Sequence, residues 1–262
     1  MNSKEETAVA HLVSMREKYG AVAVKAEFEA EGTRFSELLR LKLLASAAGL
    51  NVMLKIGGPE DVWGILQARM IDPMGIVAPM VESSYALRKY LEAAHKHIPQ
   101  DERKHILLAV NVETKMACDN LAAMLDVGRE LGLNAATLGR VDLVGSMGLE
   151  RGDINSPAVF RIVRAACNRI RKAGLEVTLG GGIEIASRDF IKSLVEEGLL
   201  DRFETRKIIF DGSMVETQER YEEAIKAAHY FEILWLENKN DSYAAMAAED
   251  ADRIPMLWKR VR

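Results

Sequence analysis

Cysteine is scarce in this chain: Cys118 and Cys167 are the only two in 262 residues, and both lie in stretches with helical periodicity. Two cysteines make no disulfide framework, which excludes the stapled secreted scaffolds and points to a reducing compartment. The opening residues, MNSKEETAVAHLVSMREKYG, scatter charge throughout and offer no apolar stretch of the kind a secretory signal carries. No run approaches the roughly 18 apolar residues that a membrane span needs. Basic excess is missing too. With 35 Lys and Arg against 39 Asp and Glu, the net charge is -4, so no global positive field invites nucleic acid. The basic end (Lys259, Arg260, Arg262) is too short to alter that. No Pro/Ser-rich linker or shift of composition divides the chain. The expectation is one soluble, cytoplasmic domain over residues 1–262.

What is present is apolar material for a large core, 48% of the residues, arranged as short apolar runs alternating with longer amphipathic ones. After an N-terminal helix within residues 1–20 (about Glu5–Lys18), strands are expected near 21–28, 51–56, 75–80, 105–112, 134–139, 175–179 and 203–210, with helices between them. Gly58-Pro59 and Ser156-Pro157 each read as a cap followed by proline at the first helical position. Val159, Ile162, Val163, Ala166 and Ile170 keep one helical face. The length is close to the ~250 residues of a (β/α)8 TIM barrel. The eighth strand is the weak point, because 203–210 reads either as one strand or as two broken near Arg206-Lys207. A doubly wound open sheet is the alternative. The tail, 239–262, is polar first and then carries Met256, Leu257 and Trp258. It reads as a segment that packs elsewhere, with a neighbouring subunit of a homo-oligomer as one surface.

Charges gather where the strands run out, which is where a barrel keeps its chemistry. Side chains alternate along a strand, so Lys25, Glu27 and Glu29 share one face while Val22, Val24, Ala26 and Phe28 share the other. Such a charged face suits a barrel mouth or a solvated edge strand. Glu113 ends the fourth strand on the face of Asn111 and Ala109, and Asp142 follows the fifth. Two carboxylates with open positions suit Mg2+ or Mn2+. The bland alternative makes Asp142 a helix cap and Glu113 a partner for Lys115. Gly180, Gly181 and Gly182 lie between a strand and a helix, either as backbone N–H donors to an anion or as a turn needing positive φ. Glu204 and Arg206 share a face of the last run and read as a structural pair.

GIVAPMVES (75–83), AVNVETKMACDNL (109–121) and GRVDLVGSMGLERGDINSPAV (139–159) resemble segments of the pyruvate class II aldolase and citrate lyase beta-subunit family, and the chain looks like a divergent member from about Ala21 to Phe210. The resemblance implies a (β/α)8 barrel that holds Mg2+ or Mn2+ on Glu113 and Asp142. It implies a metal-dependent carbon–carbon lyase acting on a pyruvate-type 2-keto acid and an aldehyde. Lys55 stands where the aldolases usually have an arginine for the substrate carboxylate, and lysine cannot make arginine's two-pronged contact. The family's G-E-H segment aligns with Glu27-Phe28-Glu29-Ala30, which has no histidine, so Glu27 and Glu29 become the candidate proton carriers. Gly139, Arg140, Gly181 and Gly182 are the further candidates for substrate contact. His11, His95, His97, His105 and His229 end no expected strand and read as helix or surface residues. A CoA-thioester lyase of the citrate lyase type, or a ligand-binding barrel without catalysis, are the alternatives.

Overall fold

The computed structural model describes residues 1–261. Eight strands close a barrel in sequence order: β1 (Ala21–Glu27), β2 (Asn51–Lys55), β3 (Gly75–Ala78), β4 (Leu107–Val112), β5 (Ala135–Gly139), β6 (Glu176–Gly180), β7 (Arg202–Glu204) and β8 (Ile208–Asp211). Closure excludes the open doubly wound sheet. The helices are α1 (Ser3–Tyr19), α2 (Phe35–Ala47), α3 (Val62–Arg69), α4 (Ser84–His97), the single turn α5 (Gln100–Arg103), α6 (Lys115–Leu131), α7 (Arg140–Ser146), α8 (Pro157–Lys172), α9 (Arg188–Glu196) and α10 (Gln218–Val261). Among the described residues no helix is long and apolar enough to cross a membrane.

Strands β1 to β7 pair in parallel. The last strand does not follow the pattern. β8 runs antiparallel to both β7 and β1, joined to β7 by the short turn Thr205–Lys207 with no helix between them. The run 203–210 is therefore two strands, broken where charges interrupt the apolar sequence. Phe203 faces Phe210 across this hairpin, with ring centroids 5.4 Å apart, and Tyr221 of α10 closes on Phe203 at 5.6 Å. Each such aromatic pair adds on the order of 1 kcal/mol beyond area burial.

The strand parity expected for β1 holds from Ala23 onward but not at Val22, which packs on the inner plug where the pairing with β8 shifts register between Ala21 and Ala23. Val24, Ala26, Val52, Leu54, Ile76, Val110, Leu138 and Val177 turn outward into the layer shared with the helices. Ala23, Met53, Val77, Ala109, Ala135 and Ile209 form a separate apolar plug. The plug fills the lower barrel, so the polar side chains further along each strand collect above it.

Local signals explain most helix starts. Asn2 caps α1 in a capping box with Glu5, and Gly20 ends it at φ 61°. Ser156 caps α8, its hydroxyl accepting from the Val159 N–H, with Pro157 at the first position. Gly58-Pro59 is not a cap: α3 starts at Val62, and the Asp61 carboxylate accepts from the N–H groups of Gly64 and Gly57. Aspartate wins because its side chain ties both ends of that turn.

α10 climbs the barrel antiparallel to α1. Arg220 donates to the Lys18 carbonyl, His11 and Tyr230 meet edge to face at 4.7 Å, and the Asn2 amide donates to Asn238 at 2.7 Å. The expected tail is the continuation of this same helix. Lys239 and Tyr243 still reach Glu37 of α2, but from Ala244 to Val261 every residue is exposed, Trp258 at 59%. The stripe Met246, Ile254, Leu257 and Val261 continues the face that packs on the barrel lower down, and among the described residues nothing covers it.

Candidate active site

A cavity of about 420 Å³ opens at the C-terminal ends of the parallel strands. Strand alternation delivers Lys25 and Glu27 from β1, Lys55 from β2, Asn111 and Glu113 from the end of β4, and Thr137 and Gly139 from β5. Most of these polar groups are buried, and four cationic and six acidic side chains share the lining. The cavity thus carries two negative charges in excess.

The lysines are already matched. The Lys25 ammonium lies 2.5 Å from Glu204 and 2.8 Å from Glu27. Burial alone would lower its pKa, but the two carboxylates outweigh burial and raise it, so the charge is held. Lys55 lies 3.0 Å from Glu29 and 3.9 Å from Glu27; burial opposes its charge, and Glu27 and Glu113 more than restore it. Glu27 responds in the opposite sense: burial pushes its carboxyl up, and Lys25 and Lys55 together pull it below the ordinary carboxylate range. Glu204 therefore does not pair with Arg206. Arg206 sits in the β7–β8 turn, off the strand, 3.9 Å from Glu31.

Glu113 has a different setting. One carboxylate oxygen accepts from the Met80 N–H at 2.9 Å and the other from the Asn111 amide at 2.8 Å. Met80 is aimed by a left-handed backbone, φ 52°, unusual for a residue with a side chain. Gly139 makes room for this carboxylate, since a Cβ there would lie 2.7 Å from the Glu113 Cβ. Burial raises the Glu113 carboxyl above its usual range, with the charge of Asp142 adding to the rise against the Met80 and Asn111 donors and Lys55. Lys115 is no partner for Glu113, because it pairs with Asp119 at 2.5 Å. Asp142 lies in the first turn of α7, with Gly139 rather than Asp142 as the N-cap, and faces the same cavity.

Arg140 is not a cavity residue. It is fully buried behind the glycine loop, where it donates to Asn155 at 2.6 Å, to the carbonyls of Gly180 and Gly182, and to Ser187, with its guanidinium 4.8 Å over the Phe190 ring. Burial lowers its pKa to about 10. The structure removes it from the substrate contacts and makes it a clamp on the loop. Gly181 and Gly182 do line the cavity. Gly181 has φ 78°, and a Cβ there would meet the Arg140 backbone nitrogen at 2.4 Å, so glycine is required by both backbone and contact. The loop does not open a helix: a 3-10 turn at Ile185–Ser187 intervenes before α9.

Arg151, Arg206, His229 and Glu232 complete the mouth. His229 and Glu232 come from α10, one turn apart, and were legible only as part of an amphipathic helix. Nothing in their local sequence signals that the helix passes the barrel mouth.

Residues 20–180 match the family model described as HpcH/HpaI aldolase/citrate lyase. Solved structures of similar fold include an HpcH/HpaI aldolase from Desulfitobacterium hafniense DCB-2, 19% identical over 66% of this chain and 73% of that one, with a TM-score of 0.56. A second is an HpcH/HpaI aldolase/citrate lyase family protein from Burkholderia cenocepacia J2315, 16% identical over 72% and 80% of the two chains, with a TM-score of 0.58. The citrate synthase SbnG is 16% identical over 76% and 81%, with a TM-score of 0.62. No curated protein matches the chain. The solved relatives share its barrel, and with more than half of its residues matched by the family model, the chain belongs to the HpcH/HpaI aldolase/citrate lyase family.

Proposed function

We propose that the protein is a divalent-metal-dependent carbon–carbon lyase that forms or cleaves a bond next to the keto group of a pyruvate-type 2-keto acid, with an aldehyde as the other partner. The observation that carries this reading is the unbalanced charge of the cavity. Glu27, Glu29 and Glu204 answer the lysines, which leaves Glu113 and Asp142 without a full counter-charge at the strand ends. Burial holds the Glu113 carboxyl above its usual range, with the Asp142 charge a smaller push in the same direction, and a cation shared by the two acids would offset both.

The donors fit a small hard cation. Both are carboxylates, and the hydrogen bonds from Met80 and Asn111 fix the orientation of Glu113 without using all its lone pairs. Among the described residues there is no cluster of three or more His, Cys, Asp or Glu side chains that would enclose a metal, so a two-carboxylate site leaves positions for a chelating substrate. Mg2+ or Mn2+ held by Glu113 and Asp142 supplies positive charge where the keto oxygen gains electron density.

The remaining roles belong to the chain itself. Lys55 is the inner cation nearest Glu113, and its exposed partner Glu29 can yield to a substrate carboxylate, whereas buried Glu27 cannot leave. Gly181 and Gly182 give the substrate a wall without side chains, which Arg140 holds from behind.

The test is exchange of the pyruvate methyl protons in D2O, followed by NMR with Mn2+ added and then chelated. Enolisation is the half-reaction common to all aldehyde partners, so none need be known. Exchange that follows the metal supports the reading, and Lys55→Ala should then raise the pyruvate concentration needed for half-maximal exchange. No exchange with metal bound would reject a pyruvate-type donor and turn attention to CoA thioesters.

A further inference from the structure

The cavity is crowded with ionisable groups, yet few of them can move a proton at neutral pH. Lys25 and Lys55 are locked in their charged forms between carboxylates. Glu27, Glu29 and Glu204 are each already engaged in an ion pair with one of these lysines. Glu113 and Asp142 are the donors for the cation. A guanidinium, as on Arg151 and Arg206, offers donors and no acceptor. Among the lining residues this leaves His229 and Glu232, and among the described residues neither side chain has a hydrogen-bond or ion-pair partner.

We propose that His229 carries the proton to and from the substrate carbon. This inference rests on the enolate-forming reading above and names its base. In the forward step the neutral imidazole takes a proton from the carbon beside the keto group. The C–H bond breaks, an N–H bond forms, and the electron pair enters the carbon–carbon bond while the keto oxygen takes up the negative charge. In the reverse step the imidazolium, having traded its proton with solvent, returns one to carbon. Imidazole is the side chain whose charge ordinarily changes between about pH 5 and 8, so one group serves both directions.

Its position suits a shuttle. His229 is exposed yet lines the cavity, a placement open both to a ligand in the cavity and to bulk water. The charged groups that share its surroundings are Glu29, Lys55, Asp142, Arg151 and Arg206 across the mouth, with Glu232 and Lys226 on its own helix. Glu232, three residues on, presents a carboxylate on the same side of the helix. α10 is anchored below this point by buried Tyr221, Ala224, Ile225 and Ala228, which holds the imidazole on a rigid element.

The experiment uses the 262-residue chain with Mn2+ and pyruvate in D2O. His229→Ala should slow methyl-proton exchange by about 10²-fold or more, flatten the inflection of the rate between about pH 5 and 8, and recover with added imidazole. Mn2+ affinity, read by electron paramagnetic resonance, should stay at the wild-type value. If wild-type protein exchanges and His229→Ala does so at a similar rate with the same pH profile, His229 is not the base and the lyase reading stands. If His229→Ala is slow but unmoved by imidazole and unchanged in pH profile, the side chain is structural and the inference fails. If wild-type protein itself exchanges no 2-keto acid with Mn2+ bound, the lyase reading fails and takes this inference with it.

Discussion

Glu113→Gln should lose metal-dependent exchange by about 10³-fold, equivalent to roughly 4 kcal/mol of transition-state stabilisation, while its far-UV circular dichroism stays native. The substitution keeps the shape of the side chain and the acceptor for the Met80 N–H, and Asn111 can turn its amide to offer oxygen to the new NH2. Only the charge goes. The metal-free variant should also be more stable than metal-free wild type at neutral pH. The sign follows from linkage: burial raises the folded-state pKa of Glu113, so keeping that carboxylate ionised costs stability above its unfolded pKa, about 4.3. The advantage of the variant should shrink as the pH falls into that range. Adding Mn2+ should reverse the order, since only wild type gains from binding. Asp142→Asn should lose the metal in the same way with the fold intact. Denaturant melts of the three proteins with and without Mn2+ decide the matter. A variant that unfolds, or one that keeps wild-type Mn2+ affinity, would make the acid structural.

Lys25→Met should be the most destabilising change in the cavity, by about 3–5 kcal/mol at pH 7. Methionine fills the space of the aliphatic stem but leaves Glu204 and Glu27, at 2.5 and 2.8 Å from the lost ammonium, facing each other in a buried site. Lys55, 3.9 Å from Glu27, compensates in part. In wild type the depressed pKa of Glu27 contributes stability that is present above the unfolded value of about 4.3 and lost as the pH falls through the folded one. The variant forfeits that contribution, so the gap between the two proteins should be widest near neutral pH and close as the carboxylates protonate. Adding Glu204→Gln to Lys25→Met removes one orphaned charge and should recover part of the loss. A single variant within about 0.5 kcal/mol of wild type at pH 7, the scale of an ordinary surface substitution, would show that water already screens the cluster.

The inner face of the barrel was legible because strand parity is a local rule. Lys25 and Glu27 alternate with Val24 and Ala26, and the structure turns the first pair inward and the second outward. Glu113 and Asp142 were legible as cavity residues because they follow the ends of the adjacent strands β4 and β5. Arg140 was misplaced because a strand-end reading ignores the helix that begins there. Two positions apart on α7 is about 200° of rotation, so Asp142 facing the cavity sends Arg140 away from it. Its partners, Asn155, Gly180, Gly182 and Ser187, are 15 to 47 residues distant and left no mark near it. His229 was hidden for a topological reason. A helix entering from an antiparallel β8 climbs past the mouth, whereas one read from its own periodicity has no stated height.

That reversed strand also sets how the ring comes together. β7 and β8 are joined by a three-residue turn and can zip as soon as both emerge, because a short loop costs little entropy to close. The opposite seam pairs Ala21 with Phe210, the two ends of the barrel sequence; its register in β1 runs from Ala21 to Val24, with the Lys25 N–H donating to the Lys207 carbonyl and the Asp211 N–H to the Gly20 carbonyl just beyond. Contacts of that separation form late and open early. The hasp is the α1–α10 pair, which spans the same seam from outside through Asn2, His11, Asn238 and Tyr230. Slow amide exchange throughout β3 to β6, with β8 and the first residues of β1 exchanging sooner, is the protection map this topology dictates.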